Sequence, residues 1–165
     1  MTTPSSRSIN ILMVLGCAGL MGIALYFEHI EGLEPCYLCI MQRVMVITTG
    51  LIALAAVVHN PGRPGIQVYA ALTSLSAVGG GSVSIRQLWL QSLPKDQVPA
   101  CGPSLDYMID VFPLFEVVGM LLKGDGSCAE VLWSLFGISM PGWVLVAFAG
   151  LLLISLYQLF RPKTA

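Results

Sequence analysis

Two pairs of cysteines are the residues of this chain best suited to chemistry. Cys36 and Cys39 are separated by two residues, and Cys101 and Cys128 lie further along in one long, more polar stretch. A Cys-x-x-Cys can form a disulfide, and a helix start beside it stabilises the thiolate that attacks or donates. Half of a zinc site has the same spacing, so the motif alone leaves thiol exchange and metal binding both open.

The chain around these cysteines has the composition of a membrane protein. Of its 165 residues, 56% are hydrophobic and 10% are charged, and the mean hydropathy is +0.81. A helix rises ~1.5 Å per residue, so about 20 apolar residues cross a bilayer core. Four stretches are long enough, at approximately residues 9–27, 40–58, 65–85 and 143–160. They predict an all-α membrane protein, a four-transmembrane-helix bundle in which residues 1–165 form a single domain.

The charged residues predict how the bundle is oriented. Both tails and the turn between the second and third spans contain no acidic residue but hold Arg7, Arg63, Arg161 and Lys163. Basic residues near span ends favour the cytoplasmic side, so both termini are expected there. The two outer loops, residues 28–39 and 86–142, then carry all four paired cysteines. In a bacterium this outer face is the periplasm, where disulfides persist.

Arg43 shares a helical face with the first cysteine pair. Pro35 predicts the helix start, and Cys36, Cys39 and Arg43 are spaced i, i+3 and i+7. A charged side chain costs ~2–3 kcal/mol at mid-bilayer and less near the interface, so a tolerated one usually has a task. Arg43 is expected either to hold Cys39 as a thiolate and bind a carbonyl oxygen of a membrane-soluble acceptor, or simply to extend to the lipid headgroups.

Cys101 and Cys128 have different surroundings from the first pair. Prolines and a glycine flank Cys101 and predict an extended, accessible segment, and residues 123–127 predict a flexible turn before Cys128. A disulfide between them would stabilise the loop by roughly 3–4 kcal/mol in the chain-entropy model, so a structural staple is one interpretation. The Cys36–Cys39 pair closes almost no chain and makes a poor staple, which favours exchange between the two pairs.

The second outer loop also carries an apolar segment, residues 107–122, that Pro113 interrupts. The segment is too broken to span a bilayer, so it is expected to lie parallel to the membrane at the outer interface. Packing against the outer ends of the spans is the alternative. Either placement would hold Cys101 and Cys128 near Cys36.

A longer set of residues around the cysteines carries a family resemblance. The set consists of Pro35-Cys36-Tyr37-Leu38-Cys39 with Arg43, the Cys101 pair, and Cys128-Ala129-Glu130 followed by Trp133, Gly137, Met140-Pro141 and Trp143. Together these residues resemble the disulfide bond formation protein B (DsbB) family of bacterial inner-membrane thiol oxidases. The resemblance covers nearly the whole chain. It implies a protein dithiol:quinone oxidoreductase that reoxidises a DsbA-like periplasmic protein of thioredoxin fold and passes two electrons to a membrane quinone, either ubiquinone or menaquinone.

The resemblance also implies roles for the cysteines. Cys101 would form the mixed disulfide with the soluble partner, and Cys128 would be its bridge partner. Electrons would reach Cys36–Cys39 through an exchange that links Cys36 with Cys128.

For the quinone site, the resemblance implies that Cys39 faces the quinone and that Arg43 binds beside it. A histidine that is frequent in the family near the quinone aligns with Gln87 in this sequence. This departure removes a possible proton donor but keeps a hydrogen-bond donor, and it makes Gln87 the weakest of the expected quinone contacts.

Three other classes of protein stay open at this stage. Vitamin K epoxide reductase-type enzymes also couple quinone to two dithiols, but their Cys-x-x-Cys follows the loop cysteines, whereas here it precedes them. A metal-binding membrane protein would use the four outer thiols, yet no histidine has the usual zinc spacing, so no metal is expected. A stapled structural protein would show no turnover. No nucleic-acid partner is expected, and Cys17, mid-span among apolar residues, is expected to be an inert packing residue.

Overall fold

The computed structural model describes residues 5–103 and 105–161, and most of them are helical. Lys163, which entered the charge argument, lies outside the described residues. In chain order the elements are α1 (Ser6–His29), α2 (Tyr37–His59), α3 (Arg63–Gln91), the short helices α4 (Leu105–Val111) and α5 (Leu114–Lys123), a 3-10 turn (Gly126–Ala129), strands β1 (Ser134–Leu135) and β2 (Ile138–Ser139), and α6 (Met140–Phe160). Helices α1, α2, α3 and α6 are long and apolar enough to cross a membrane, which confirms the predicted four-helix membrane bundle.

The ends of the long helices lie close to the predicted ones except in α3. This helix was expected to end near Ile85 but continues to Gln91, so the second outer loop begins at residue 92 rather than 86. Hydropathy placed the end too early because Arg86 and Gln87 are polar. In the structure Gln87 and Leu90 are buried, and tertiary contacts of this kind extend the helix beyond its apolar stretch.

The bundle is held by close packing along α3. Helix α3 packs against both α2 and α6, and α1 packs against α2 but touches α6 only sparingly. A Cβ atom built on Gly80 would lie 2.1 Å from Cζ of Phe148, so glycine permits the close approach of α3 and α6. At the other end of the bundle from the paired cysteines, Asn10 and Gln158 exchange hydrogen bonds across α1 and α6.

Two clusters of buried side chains form the core. One lies around Phe148 and includes Cys17, whose Cβ would be 3.1 Å from a Cβ on Gly50, in agreement with a packing role for this cysteine. The other lies at the cysteine-bearing end and joins the long helices to α4 and α5 through Met108 and Val117.

The apolar segment 107–122 forms two short helices that Pro113 separates. One face of α5 packs on the bundle, whereas Leu114 and Phe115 are 73% and 89% exposed. The segment therefore has both a packed face and an uncovered apolar face.

A two-stranded antiparallel hairpin, β1–β2, leads into α6 and was not predicted from the sequence. Phe136 and Gly137 form its turn with φ values of 54° and 79°, the left-handed conformation that two-residue hairpin turns require. Trp133 precedes the hairpin and packs against Phe27 of α1, with ring centroids 5.2 Å apart. The hairpin thus connects the outer ends of α1 and α6.

Candidate redox and ligand-binding site

The first cysteine pair lies at the start of α2. Cys36 is the N-cap residue, with extended backbone after Pro35, and Cys39 follows in the first turn. Their sulfurs are 2.9 Å apart, close enough for a disulfide to form with a small movement. The N-cap position of Cys36 and the first turn of α2 together bring these two side chains into contact.

Cys128 contacts this pair from the 3-10 turn. Its side chain is fully buried, and its sulfur accepts hydrogen bonds from the Cys36 thiol and from the backbone N–H of Leu38. The Cys36 hydrogen bond is the largest cause of a lowered pKa at Cys128, and burial opposes it. The same hydrogen bond, then the contact with Cys39 and burial, raises the pKa of Cys36. The shared hydrogen bond therefore favours the proton on Cys36 and the thiolate on Cys128, which lies at the N-terminus of α2, where a helix favours negative charge.

Cys101 is the exposed member of the second pair. It lies in a segment without helix or strand, and the hydroxyl of Tyr37 donates to the carbonyl oxygen of Pro103 two residues later. A Cβ on Gly126 would be 3.3 Å from the Cys101 sulfur, so Cys101 lies against the turn that carries Cys128. The structure thus brings all four paired cysteines to one end of the bundle.

The turn at residues 123–127 is held by hydrogen bonds to the side chain of Asp125, which were not predicted from the sequence. Asp125 is 7% exposed and accepts hydrogen bonds from the Gly102 N–H at 3.0 Å and from the Ser127 hydroxyl. A Cβ on Gly126 would lie 2.6 Å from the carbonyl oxygen of Pro99, which excludes larger residues. Sequence reasoning missed Asp125, although Asp followed by Gly-Ser is a signal for a side chain that caps its own turn.

A cavity of about 440 Å³ lies beside the first pair, between the outer halves of the four long helices. Apolar side chains of α1 and α6, among them Leu20 and Val144, form much of its wall, in the gap where these two helices touch sparingly. The polar side chains that line it are Glu34, Gln42, Arg43, Gln87, Gln91, Ser127 and Glu130. A largely apolar cavity with a few hydrogen-bond donors suits a lipid-soluble molecule that carries oxygen atoms.

Arg43 lies in the cavity wall and is bound to α1. Its guanidinium forms an ion pair with Glu28, and its second terminal nitrogen donates to the carbonyl oxygen of Ala24 at 3.2 Å. Nothing in the sequence predicts the contact between Arg43 and Glu28, because the first outer loop separates these two residues. The ion pair fixes the position of a charge that otherwise lies among apolar residues.

Gln87 reaches the first cysteine pair from α3. Its Nε2 donates to the sulfurs of Cys36 and Cys39 at 3.2 and 3.3 Å, and Nε2 of Gln42 donates to its Oε1 at 2.7 Å. Gln42 was missed because nothing in the sequence indicates that two glutamines 45 positions apart meet.

Comparison with known proteins agrees with this arrangement. The family model described as disulfide bond formation protein DsbB matches residues 6–158. The chain belongs to the DsbB family. It is 51% identical to disulfide bond formation protein B of Saccharophagus degradans over 158 residues, covering 96% of this chain and 95% of that protein. It is 53% identical to the protein of that name from Hahella chejuensis over 146 residues, covering 88% of each, and 47% identical to the one from Stutzerimonas stutzeri over 161 residues, covering 98% and 99%.

Membership of the DsbB family makes the chain a membrane oxidoreductase of disulfide bond formation. It also implies a disulfide-exchange partner in the periplasm. In the part of the chain that the structure describes, no three His, Cys, Asp or Glu side chains are grouped so that they could hold a metal ion.

Proposed function

We propose that this protein is a protein dithiol:quinone oxidoreductase that reoxidises a DsbA-like periplasmic protein of thioredoxin fold. The observation that supports this most directly is the position of the Cys36 sulfur, which contacts both Cys39 and Cys128. One sulfur therefore joins the pair beside the cavity to the pair near the surface.

Electrons enter at Cys101. Cys101 is exposed and Cys128 is fully buried, so a thiolate of the soluble partner reaches only the Cys101 sulfur of a Cys101–Cys128 disulfide. Attack there forms a bond between the partner and Cys101 and breaks the Cys101–Cys128 bond. Cys128 leaves as a thiolate, which its lowered pKa favours.

Transfer to the inner pair follows through Cys36. The Cys128 thiolate attacks Cys36 in a Cys36–Cys39 disulfide, a Cys36–Cys128 bond forms, and Cys39 leaves as a thiolate. The partner's second thiol then breaks its bond to Cys101 and departs oxidised. Cys101 attacks Cys128, which restores the outer disulfide and leaves Cys36 and Cys39 reduced by two electrons.

The residues around the cavity fit a quinone, either ubiquinone or menaquinone. The volume of about 440 Å³ and the apolar wall suit a flat apolar ring, and Arg43 supplies a donor for a carbonyl oxygen beside Cys39. Gln87 also lines the cavity, but its Nε2 already donates to the sulfurs of Cys36 and Cys39, so it remains the weakest of the proposed quinone contacts. When bound, a quinone takes up the two electrons and two protons of the Cys36–Cys39 dithiol. Arg43 would hold one oxygen through its charge, and Glu28 would keep the guanidinium in the wall.

The same proposal fixes the location of the protein. We place it in the bacterial inner membrane as a single multi-pass domain with both termini in the cytoplasm and the four paired cysteines in the periplasm. The basic residues Arg7, Arg63 and Arg161 lie at the opposite ends of the helices from these cysteines, which supports this orientation.

Purified protein in detergent tests the function directly. With a reduced thioredoxin-fold partner and a quinone analogue, quinone absorbance should fall as the partner is oxidised. Cys101→Ala should lower this rate at least about a hundredfold, because no other sulfur of the outer pair is accessible. Cys17→Ala, a buried cysteine that packs near Gly50, is the matched control and should keep the rate. An undiminished rate in Cys101→Ala would exclude the proposed entry point.

A further inference from the structure

Two glutamines meet beside the redox-active sulfurs. Gln42 on α2 is 4% exposed and Gln87 on α3 is 3% exposed. Gln42 donates from Nε2 to Oε1 of Gln87 at 2.7 Å, and Gln87 donates from Nε2 to the sulfurs of Cys36 and Cys39. The shorter hydrogen bonds run from Gln42 through Gln87 to sulfur, and Oε1 of Gln87 also lies 3.7 Å from the Cys39 sulfur, whose thiol can donate to it.

The direction matters because the two ends of an amide have opposite hydrogen-bonding properties. With its Oε1 occupied by the Gln42 donor, Gln87 presents N–H groups to the sulfurs. If Gln87 turned over, its carbonyl oxygen would face the sulfurs and its amine would face the amine of Gln42. In a buried site that arrangement leaves donors unpaired and places an acceptor against a thiolate, which is strongly unfavourable.

We propose that Gln42 is a positioning residue that orients the amide of Gln87, so that Gln87 stabilises the reduced form of the Cys36–Cys39 couple. The proposal rests on the proposed function, which makes this couple the donor to quinone. Gln42 acts through Gln87. Stabilising the reduced dithiol raises the reduction potential of the couple, as it does in other strongly oxidising dithiols.

Replacement of Gln42 by glutamate tests the orientation with almost no change in shape. The introduced carboxylate only accepts hydrogen bonds, so Gln87 must turn over and direct its oxygen to the sulfurs. When the carboxyl is protonated, its O–H again donates to Oε1 of Gln87. The variant should therefore recover as the pH falls, whereas a merely structural defect would not.

Several ionisable groups line the same cavity or contact its wall and will set the pH at which the variant recovers. They are the thiols of Cys36, Cys39 and Cys128, the Arg43–Glu28 ion pair, and the carboxyl groups of Glu34 and Glu130. These groups are present in the wild type as well, so the comparison is between the two pH profiles.

The measurement needs no quinone. Reduced and oxidised Cys36–Cys39 are equilibrated in dithiol buffers, trapped by alkylation and counted by mass spectrometry. With the carboxylate charged, Gln42→Glu should lower the equilibrium constant for reduction about tenfold, or ~30 mV, and the difference from wild type should shrink at lower pH. Quinone reduction by the same variant is a second measurement.

Two variants complete the test. Gln42→Met loses the donor without adding charge, so it should give a smaller shift with the pH profile of the wild type. Gln158→Glu places the same change in another buried amide pair, with Asn10 at the far end of the bundle, and should leave the equilibrium unchanged.

Equal constants for Gln42→Glu and wild type at every pH, or equal shifts in Gln42→Glu and Gln158→Glu, would overturn the proposal. Wild-type protein that moved no electrons to quinone would instead refute the proposed function.

Discussion

The sulfur of Cys36 contacts the sulfurs of both Cys39 and Cys128, and the local backbone explains these two contacts. As the N-cap of α2 it has extended backbone, so it lies between Cys39 in the first helical turn and Cys128 on the 3-10 turn. The hydrogen bond between Cys36 and Cys128 raises the pKa of Cys36 and lowers the pKa of Cys128. The thiol with the lowered pKa is the one that the proposed exchange uses as nucleophile.

This hydrogen bond predicts a pH effect that a pair of variants can measure. Cys36→Ala removes the donor to Cys128, whereas Cys36→Ser keeps an O–H donor. Because donation to a thiolate lowers its pKa, the midpoint pH for alkylation of Cys128 in reduced protein should be higher in the alanine variant. Rates are followed by mass spectrometry of the Cys128 peptide. Equal midpoints would show that the backbone hydrogen bonds at Leu38 and Asp125, and not the one from Cys36, lower the pKa of Cys128.

The sign of the related stability effect follows from the lowered pKa of Cys128. The lowered pKa of Cys128 stabilises the folded protein at pH values above the ordinary thiol pKa. This stabilisation is lost as the pH falls through the lowered pKa of Cys128.

Residue type and spacing singled out the four cysteines and Arg43, and the family resemblance predicted the pairing of Cys128 with Cys101 and Cys36. The contact of Arg43 with Glu28 was not predicted. Gln42 and Asp125 were missed because their roles depend on contacts between segments that are distant in the sequence. In the sequence, a polar residue with a distant contact partner cannot be distinguished from other polar residues until that partner is known.

At the scale of elements, glycine determines how closely α3 and α6 approach. Gly80 lies under the ring of Phe148, and no room remains for a side chain. The number of long helices followed from hydropathy, since apolar length is a local property. The end of α3 and the β1–β2 hairpin did not, because burial of Gln87 and a left-handed Phe136 are set by tertiary packing and turn geometry.

Gly80→Ala should therefore loosen the bundle. Its methyl group would overlap the Phe148 ring, and overpacking of this kind costs about 1–3 kcal/mol. Thermal unfolding in detergent measures the loss. Gly19→Ala is the matched control, since nothing lies within 4 Å of its Cβ position, and it should unfold no earlier than wild type. Phe148→Leu added to Gly80→Ala should recover part of the loss, and no difference between the two alanine variants would contradict the packing argument.

At the scale of the whole molecule, the chain separates a cysteine-bearing end from an end that carries basic residues. The cysteine-bearing end holds the tip of the hairpin, α4, α5 and all paired cysteines. The other end holds His59 and Arg63. The four candidate spans among the described residues fit the proposed topology, in which both tails lie on the same side of the membrane.

Labelling of intact cells tests this orientation. In a background whose 5 native cysteines are replaced by serine, Phe136→Cys at the exposed hairpin tip should react with a membrane-impermeant maleimide. His59→Cys, also exposed but at the last residue of α2, at the other end of the bundle, should react only after the cells are opened. Reaction of both variants in intact cells, or of His59→Cys alone, would contradict the proposed topology.

The sparse contact between α1 and α6 has a consequence for how the site is supplied. Under the proposed function, a quinone dissolved among the acyl chains would enter the cavity sideways between these helices and leave by the same route without crossing water. Occupancy is then governed by the mole fraction of that molecule in the surrounding lipid. Diluting the bilayer with inert lipid would lower the effective supply, even when the amount per litre of suspension stays constant.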